Sequence, residues 1–466
     1  MEKQVKVKSF LNKISYYYMF RILEVLFVMS LAFTMPIFEF GVAFLSLVFM
    51  YFFMYVLDFR IVDNDQKSLK KYCNNLSVLF PLKGVFAGLC LLGLSYVFPS
   101  LELALRLSAI VAFFMSLKST PEVYYKLIGQ EIKVYRSYFI SQVVLMMVVS
   151  ISLYFVNTYV SVIIGYALFF AIMMVLLWKD FPYKLKPKVN KVIIAKIVDE
   201  WRQRLFNRSI NNLLEYGLLI YVALVYGIKE FATVYFVLLI SNFFYRRVTI
   251  FFSRMFKNKF ENISYDMFKL NMVRIIEYIA FISAPLSIIF FAFSFEFGML
   301  LNYPRFFDII YVFMIAGLVK TLFETGRIAL QYEKKEYINQ RIMVFELILL
   351  LILVPILNVM FGLFGIAVGY FIASVLSSLL YVLLAERITK LNLLTVSRDY
   401  FYILFSAIIS SILIAMIKEW YPIRNIWTIM LFGLIGLAIY IGLTFVLNQD
   451  LYKRFTRFVF DILDEE

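Results

Sequence analysis

Across 466 residues the chain is 63% hydrophobic and only 17% charged, with a formal charge of +15. A soluble domain carries about 25% charged and about 45–50% apolar residues, so this composition excludes an ordinary water-soluble globule. The cations sit between apolar blocks, which assigns them to membrane topology rather than to nucleic acid, and histidine, the commonest general base and metal ligand, is absent from the sequence.

The apolar residues arrive in long runs such as Val25–Phe38, Phe139–Phe155 and Ala407–Ile417. A spanning helix needs about 20 mainly apolar residues, and in hydrocarbon every backbone polar group has to be satisfied within the segment. Outer-membrane strands are about 10 residues long and alternate, so the runs predict helices. The expected class is an all-α polytopic membrane protein.

In chain order, Met1–Lys13 carries Lys3, Lys6, Lys8 and Lys13 ahead of an apolar stretch that reaches Met35–Pro36 without a small-residue cleavage site. It reads as a retained first helix rather than a cleaved signal. Spans are predicted at 14–34, 38–57, 77–97, 102–119, 137–156, 159–178, 209–226, 231–250, 275–293, 306–323, 342–360, 363–384, 400–417 and 426–447. Of the 46 Lys and Arg, alternate connections and the termini hold 39; the intervening connections hold only Lys229, Arg305, Lys418 and Arg424. Arg21, Lys83 and Arg106 fall inside spans. This alternation predicts fourteen spans with both termini cytoplasmic, in the cell membrane. The segment Lys179–Arg208 is a basic connector with an amphipathic part, Val189–Arg204, either lying on the anionic inner leaflet or simply solvated.

The chain repeats itself. Lys118-Ser-Thr-Pro-Glu122 followed by Glu131-Ile-Lys133-Val-Tyr135 returns 202 residues later as Lys320-Thr-Leu-Phe-Glu324 and Glu333-Lys-Lys335-Glu-Tyr337. Gly165-Tyr166 matches Gly369-Tyr370, and Leu11-Asn12-Lys13 resembles Phe206-Asn207-Arg208. The expected organisation is a six-helix lobe at 1–178, the connector at 179–208, a second six-helix lobe in the same orientation at 209–385, and two further helices with a cytoplasmic tail at 386–466.

Two facing lobes can enclose a cavity, and ionisable residues inside spans belong on its wall because lipid exposure is expensive. Arg208, Asn211, Asn212 and Glu215 fall at i, i+3, i+4 and i+7 of one helix, and Tyr17, Arg21 and Glu24 have the same kind of spacing. Asn242, Arg246 and Arg247 end the eighth span; Lys320, Glu324 and Arg327 end the tenth. Inward arginines suit an anionic headgroup, since guanidinium binds phosphate bidentately, with Asn and Tyr suited to sugar hydroxyls. The same residues also read as helix-stabilising ion pairs, Arg21–Glu24 and Lys320–Glu324, near the inner surface, where long cations snorkel. Glu277 and Glu346 are lone carboxylates within spans, candidates for ion coupling or for plain packing. Cys73 and Cys90 lie too far apart for a metal motif and are expected to be free thiols. There is no phosphate-cradling Gly-rich loop with Lys and no nucleophile–base pair, so the sequence reads as a non-enzyme without cofactor, metal or nucleic-acid partner, and as a monomer.

Glu333-Lys-Lys-Glu-Tyr337, Pro355-Ile-Leu-Asn358 and Phe361-Gly362-Leu-Phe-Gly365-Ile-Ala-Val-Gly369, with Ala284-Pro285 and Glu296-Phe-Gly298 in Ala280–Leu301, resemble the polysaccharide transporter branch of the multidrug/oligosaccharidyl-lipid/polysaccharide exporter superfamily, the O-antigen-type oligosaccharide flippases. The resemblance extends over the whole chain through its helix architecture. It implies translocation of a polyprenyl-linked oligosaccharide from the inner to the outer leaflet by alternating access, with a proton or sodium ion as the coupling ion. Gly217 and Gly369 are then candidate hinges, although close packing explains them as well. A multidrug or metabolite exporter of the same superfamily is the nearest rival. A polysaccharide polymerase or ligase is a rival of another class, but such enzymes carry a sizeable outer loop. The connection Asp58–Lys71 lacks the Gly-Asp-Arg signature of a major-facilitator transporter.

Overall fold

The computed structural model describes residues 2–57, 69–156, 158–182, 190–241, 274, 277–285, 292–296, 298–299, 306–333, 335–390, 398–421 and 426–465. They are almost entirely helical, and no strand occurs among the described residues. They form two compact units, Met1–Ala232 and Thr233–Glu465.

In the first unit, α1 (Glu2–Thr34) stops ahead of Pro36, whose extended backbone precedes α2 (Ile37–Val56). The middle of α2, from Phe40 to Met50, is buried on every side, as an all-apolar helix at the centre of a bundle has to be. Small residues let its neighbours approach. The Ser108 and Ser46 hydroxyls meet at 3.1 Å, joining α4 (Glu102–Leu117) to α2. Gly84 of α3 (Leu69–Val97) lies against Ser116 of α4. The helix bends at Lys118 into α5 (Ser119–Leu127), and the Trp178 indole donates to the Leu117 carbonyl at 3.1 Å at that break. α6 (Glu131–Phe155) and α7 (Tyr159–Lys179) form a hairpin in which a Cβ at Gly165 would meet Leu145 and Val149.

The basic connector becomes α8 (Lys191–Asn212), capped by Asn190, whose side chain accepts from the Val192 and Ile193 amides at 3.0 and 3.4 Å. Its apolar face is placed on the protein: Ile193 and Ile197 pack on Tyr72, Leu76, Phe80 and Val123. Trp201 donates to the Val56 carbonyl at 3.2 Å. α8 runs through a π-turn, Leu213–Gly217, into α9 (Leu218–Tyr226), so connector and seventh span are one continuous helix. Gly227 (φ 92°) ends it and α10 (228–241) begins, with Ile228 pressed against Gly41 of α2.

In the second unit, α11 (277–285) and a helical stretch at 292–296 pack against the C-terminal helices. Gly326 of α12 (Phe306–Tyr332) sits on the backbone of Tyr381 and Val382 in α13 (Glu336–Thr389). α13 is two spans joined at Gly362, whose φ of 61° and ψ of −140° only glycine adopts without strain. The arms fold back on each other, with Gly365 facing the Leu357 carbonyl and Gly369 facing Val354. α14 (Arg398–Trp420) and α15 (Ile426–Leu447) dock on the ninth span: the Lys418 ammonium donates to the Ala292 carbonyl at 2.9 Å, and the Tyr440 hydroxyl to the Phe281 carbonyl at 2.9 Å. The tail is a helix, α16 (Gln449–Glu465), turned by 107° from α15, with Phe455 against Tyr278 and Phe281.

Nine helices among the described residues are long and apolar enough to cross a membrane, ten if α15 and α16 count as one bent span, and α13 supplies two of the predicted spans by itself. The chain is a multi-pass membrane protein. Predicted spans eight and nine extend into residues outside those described.

Candidate functional site

Tyr17, Arg21 and Glu24 lie on successive turns of α1. The Arg21 guanidinium donates to Glu24 at 2.5 Å and lies 4.9 Å from the Phe20 ring centroid and 5.6 Å from that of Tyr17. Its charge is thus balanced by a carboxylate and covered by π faces, each about 0.5–2 kcal/mol of attraction according to exposure. Tyr17 in turn meets Tyr135 of α6 edge-on at 5.2 Å. The ion pair expected from spacing is present, and it is half-buried, so the guanidinium keeps surface on which to meet another group.

The stripe on α8 divides. Asn212 is buried and Arg208 half-buried, whereas Asn211 and Glu215 are exposed. For Glu215 the backbone contributes. Glu215 lies inside the π-turn, which winds more residues per turn than an α-helix, so the i, i+7 alignment with Arg208 no longer holds. The Asn212 Nδ2 is buried and meets no acceptor among the described residues. An orphaned buried donor costs about 1–3 kcal/mol, so a site beside it favours a ligand or water that accepts from it.

Lys320 of α12 reaches across to Glu346 of α13 at 2.6 Å, and the Tyr370 hydroxyl lies 3.4 Å from the same ammonium. Glu346 is therefore not a lone carboxylate. Neither is Glu277, which lies 4.0 Å from Arg454; that guanidinium also pairs with Asp399. Both ion-coupling candidates are carboxylates held by cations. Arg327 is half-buried on α12. Asn242, Arg246 and Arg247 lie outside the described residues, as does the side chain of Glu324.

Two groupings were not singled out from sequence. In the first, Glu122 accepts from Lys118 at 2.6 Å and from Lys126 at 2.5 Å, and Lys118 also donates to the Tyr138 hydroxyl at 2.5 Å. Tyr138 lies between this network and α1, its ring 4.9 Å from Phe20. The i, i+4 spacing of Lys118 and Glu122, and their recurrence as Lys320 and Glu324, was the available signal. In the second, Tyr51 and Tyr55 of α2 stack at 6.0 Å, and Tyr55 stacks on Tyr216 of the π-turn at 6.3 Å. Cys73 is buried and Cys90 half-buried, both free thiols.

Solved structures share this course of the chain. The lipid II flippase MurJ, in an inward closed conformation, matches with a TM-score of 0.70 at 15% identity, over 95% of this chain and 100% of that one. An inward-facing multidrug resistance MATE family transporter of the MOP superfamily matches at 0.63 and 11% identity, over 82% and 98%. An outward-facing MATE family transporter of the same superfamily matches at 0.52 and 11%, over 84% and 97%. The fold is that of the MurJ and MATE transporters. No family model matches the sequence, and no curated protein matches it. At these identities the likeness is one of backbone course, so roles for individual side chains rest on this chain's own geometry.

Proposed function

We propose that this protein translocates a polyprenyl-linked oligosaccharide from the inner to the outer leaflet of the cell membrane by alternating access, for the synthesis of a surface glycan. The reading is carried by a single observation: nearly the whole chain follows the backbone of a lipid II flippase. A cargo of that class needs a cation for its pyrophosphate and hydrogen-bonding groups for its sugars. Arg21, held half-buried by Glu24 and two aromatic rings, and the half-buried Arg208 supply the first; Tyr17, Asn211 and Asn212 supply the second. The polyprenyl tail remains in the bilayer throughout, so only the headgroup crosses the protein. Inward- and outward-facing conformations of one shared fold support alternating access. Coupling to a proton or sodium ion, a monomeric state and cytoplasmic termini belong to the same reading.

Export of a drug or metabolite is the second reading, favoured by the likeness to MATE transporters. The arginines on α1 and α8 make it a poor fit for cationic drugs. The test is depletion of the protein in its own cell. Accumulation of lipid-linked oligosaccharide with the glycan facing inward is expected; an unchanged leaflet distribution, with altered drug tolerance, favours the exporter.

A further inference from the structure

Aromatic stacks are common in this chain, and most of them are buried. Phe20 and Phe169 stack at 6.4 Å with both residues inside the first unit. The row Tyr51–Tyr55–Tyr216 differs in three respects. All three residues are only half-buried, although α2 is wholly buried from Phe40 to Met50 just before them. Their planes are nearly parallel, at 22° and 11°, while their centroids are 6.0 and 6.3 Å apart. Rings so displaced cover little of one another, and each of the three residues keeps part of its surface exposed. Finally, the third ring is delivered by the π-turn Leu213–Gly217, an irregularity frequent at functional sites.

Tyr51 is within electrostatic reach of Glu24 of α1 and of Tyr166. Tyr216 is four residues, one turn, beyond Asn212. A phenol ring offers a flat π face together with a hydroxyl that donates and accepts. That combination suits one ligand chemistry in particular. A pyranose ring turns its axial C–H bonds toward the π face and leaves its hydroxyls at the edge, where phenols, a carboxylate and an amide can meet them. A polyprenyl chain has no use for the hydroxyls, and phenylalanines would serve it equally well.

We propose that Tyr51, Tyr55 and Tyr216 form a sugar-stacking strip on which the glycan of the lipid-linked substrate rests during passage. The inference rests on the flippase reading and names the part of the cargo this surface handles. Stacking depends little on which sugar is present, because every pyranose has a C–H face. It is shallow as well, so a glycan can step from ring to ring without being trapped, as a transported species requires.

The test compares wild type, Tyr55→Ala, Tyr216→Ala and Tyr55→Phe in proteoliposomes, with two fluorescent probes: a polyprenyl pyrophosphate bearing about five sugars and the same carrier bearing one. Removing an aromatic ring from a stacking platform typically costs a bound ring about tenfold or more in affinity. The expected result is an about tenfold slower passage of the long-glycan probe in both alanine variants. The one-sugar probe should stay within about twofold of wild type, and Tyr55→Phe, which keeps the π face and loses the hydroxyl, should pass the long-glycan probe at a rate between those of wild type and Tyr55→Ala. Tyr55→Leu, which keeps an apolar side chain of intermediate size and removes the π face, serves if the alanine variants fail to fold. Wild-type rates for the long-glycan probe in Tyr55→Leu, or equal slowing of both probes, overturn the strip. Wild type moving neither probe overturns the flippase reading, and the strip with it.

Discussion

Lys118 in the first unit and Lys320 in the second stand at corresponding positions of the repeat, and the chain solves the same physical problem for them in different ways. Each ammonium needs a carboxylate and finds a tyrosine face: Lys118 lies 4.6 Å from the ring centroid of Tyr138, Lys320 4.8 Å from that of Tyr370. In the first unit the carboxylate, Glu122, lies one turn along the same helical run and is shared with Lys126. In the second the carboxylate, Glu346, comes from a different helix. A local pair is built as soon as its helix forms, whereas a pair across α12 and α13 ties two spans together. Matching lysines can therefore meet a carboxylate from their own helical run or from a neighbouring helix.

Burial decides how far each pair matters. The Lys118 and Glu122 side chains are 4% and 7% exposed, those of Lys320 and Glu346 34% and 9%. Glu122→Ala should have the largest effect, because it strands the buried Lys118 and leaves Lys126 unpaired; breaking a buried pair costs about 3–5 kcal/mol. Denaturation of the detergent-solubilised protein measures it, and a cost no greater than that of Glu346→Ala would dissolve the contrast. Glu346→Ala should cost about 1–3 kcal/mol, since Lys320 keeps partial access to solvent or headgroups. Joining it with Lys320→Met should return most of the loss, and a double-mutant cycle reads the coupling.

The two hairpins sharpen the comparison further. A Cβ at Gly165 meets the side chains of Leu145 and Val149, which can change rotamer, while at Gly365 it meets the backbone of Leu357, which cannot. Gly365→Ala should therefore destabilise by about 1–3 kcal/mol and Gly165→Ala by less; equal effects in thermal unfolding would argue against backbone contact between the arms of α13. The smallest effect is expected at Arg454. Its side chain is 37% exposed, so Arg454→Ala should cost about 1 kcal/mol or less despite its contacts with Asp399 and Glu277.

What the sequence disclosed follows from how local each feature is. The helical membrane class is written in composition, and the tight turn at Phe361-Gly362 in a residue that tolerates a positive φ. Gly165 and Gly369 were legible as a repeat because a hairpin interface needs small residues wherever two helices close on each other. The Arg21–Glu24 pair was legible from helical spacing alone. Other features were not. The spacing of Lys320 could point only to Glu324 on its own helix, whose side chain lies outside those described, while Glu346 reaches Lys320 through tertiary packing. The π-turn at Leu213–Gly217 has no signature in the residues, yet it undoes the alignment of Arg208 with Glu215 and brings Tyr216 onto Tyr55. The apolar face of α8 looked like a membrane-surface or solvated stretch because its partners, Tyr72, Leu76 and Phe80, lie more than a hundred residues earlier.

The central claim is that the half-buried guanidinium of Arg21 serves the passage of a lipid-linked glycan. The direct measurement is translocation of a fluorescent polyprenyl-pyrophosphate oligosaccharide in proteoliposomes, read by access of an impermeant quencher, for wild type, Arg21→Ala and Arg21→Lys. A hydrogen bond to a charged group is worth about 1.5–3 kcal/mol, so Arg21→Ala should slow passage about tenfold or more, with Arg21→Lys recovering part of the rate. A wild-type protein that leaves the probe's leaflet distribution unchanged, or an Arg21→Ala variant as fast as wild type, would contradict it.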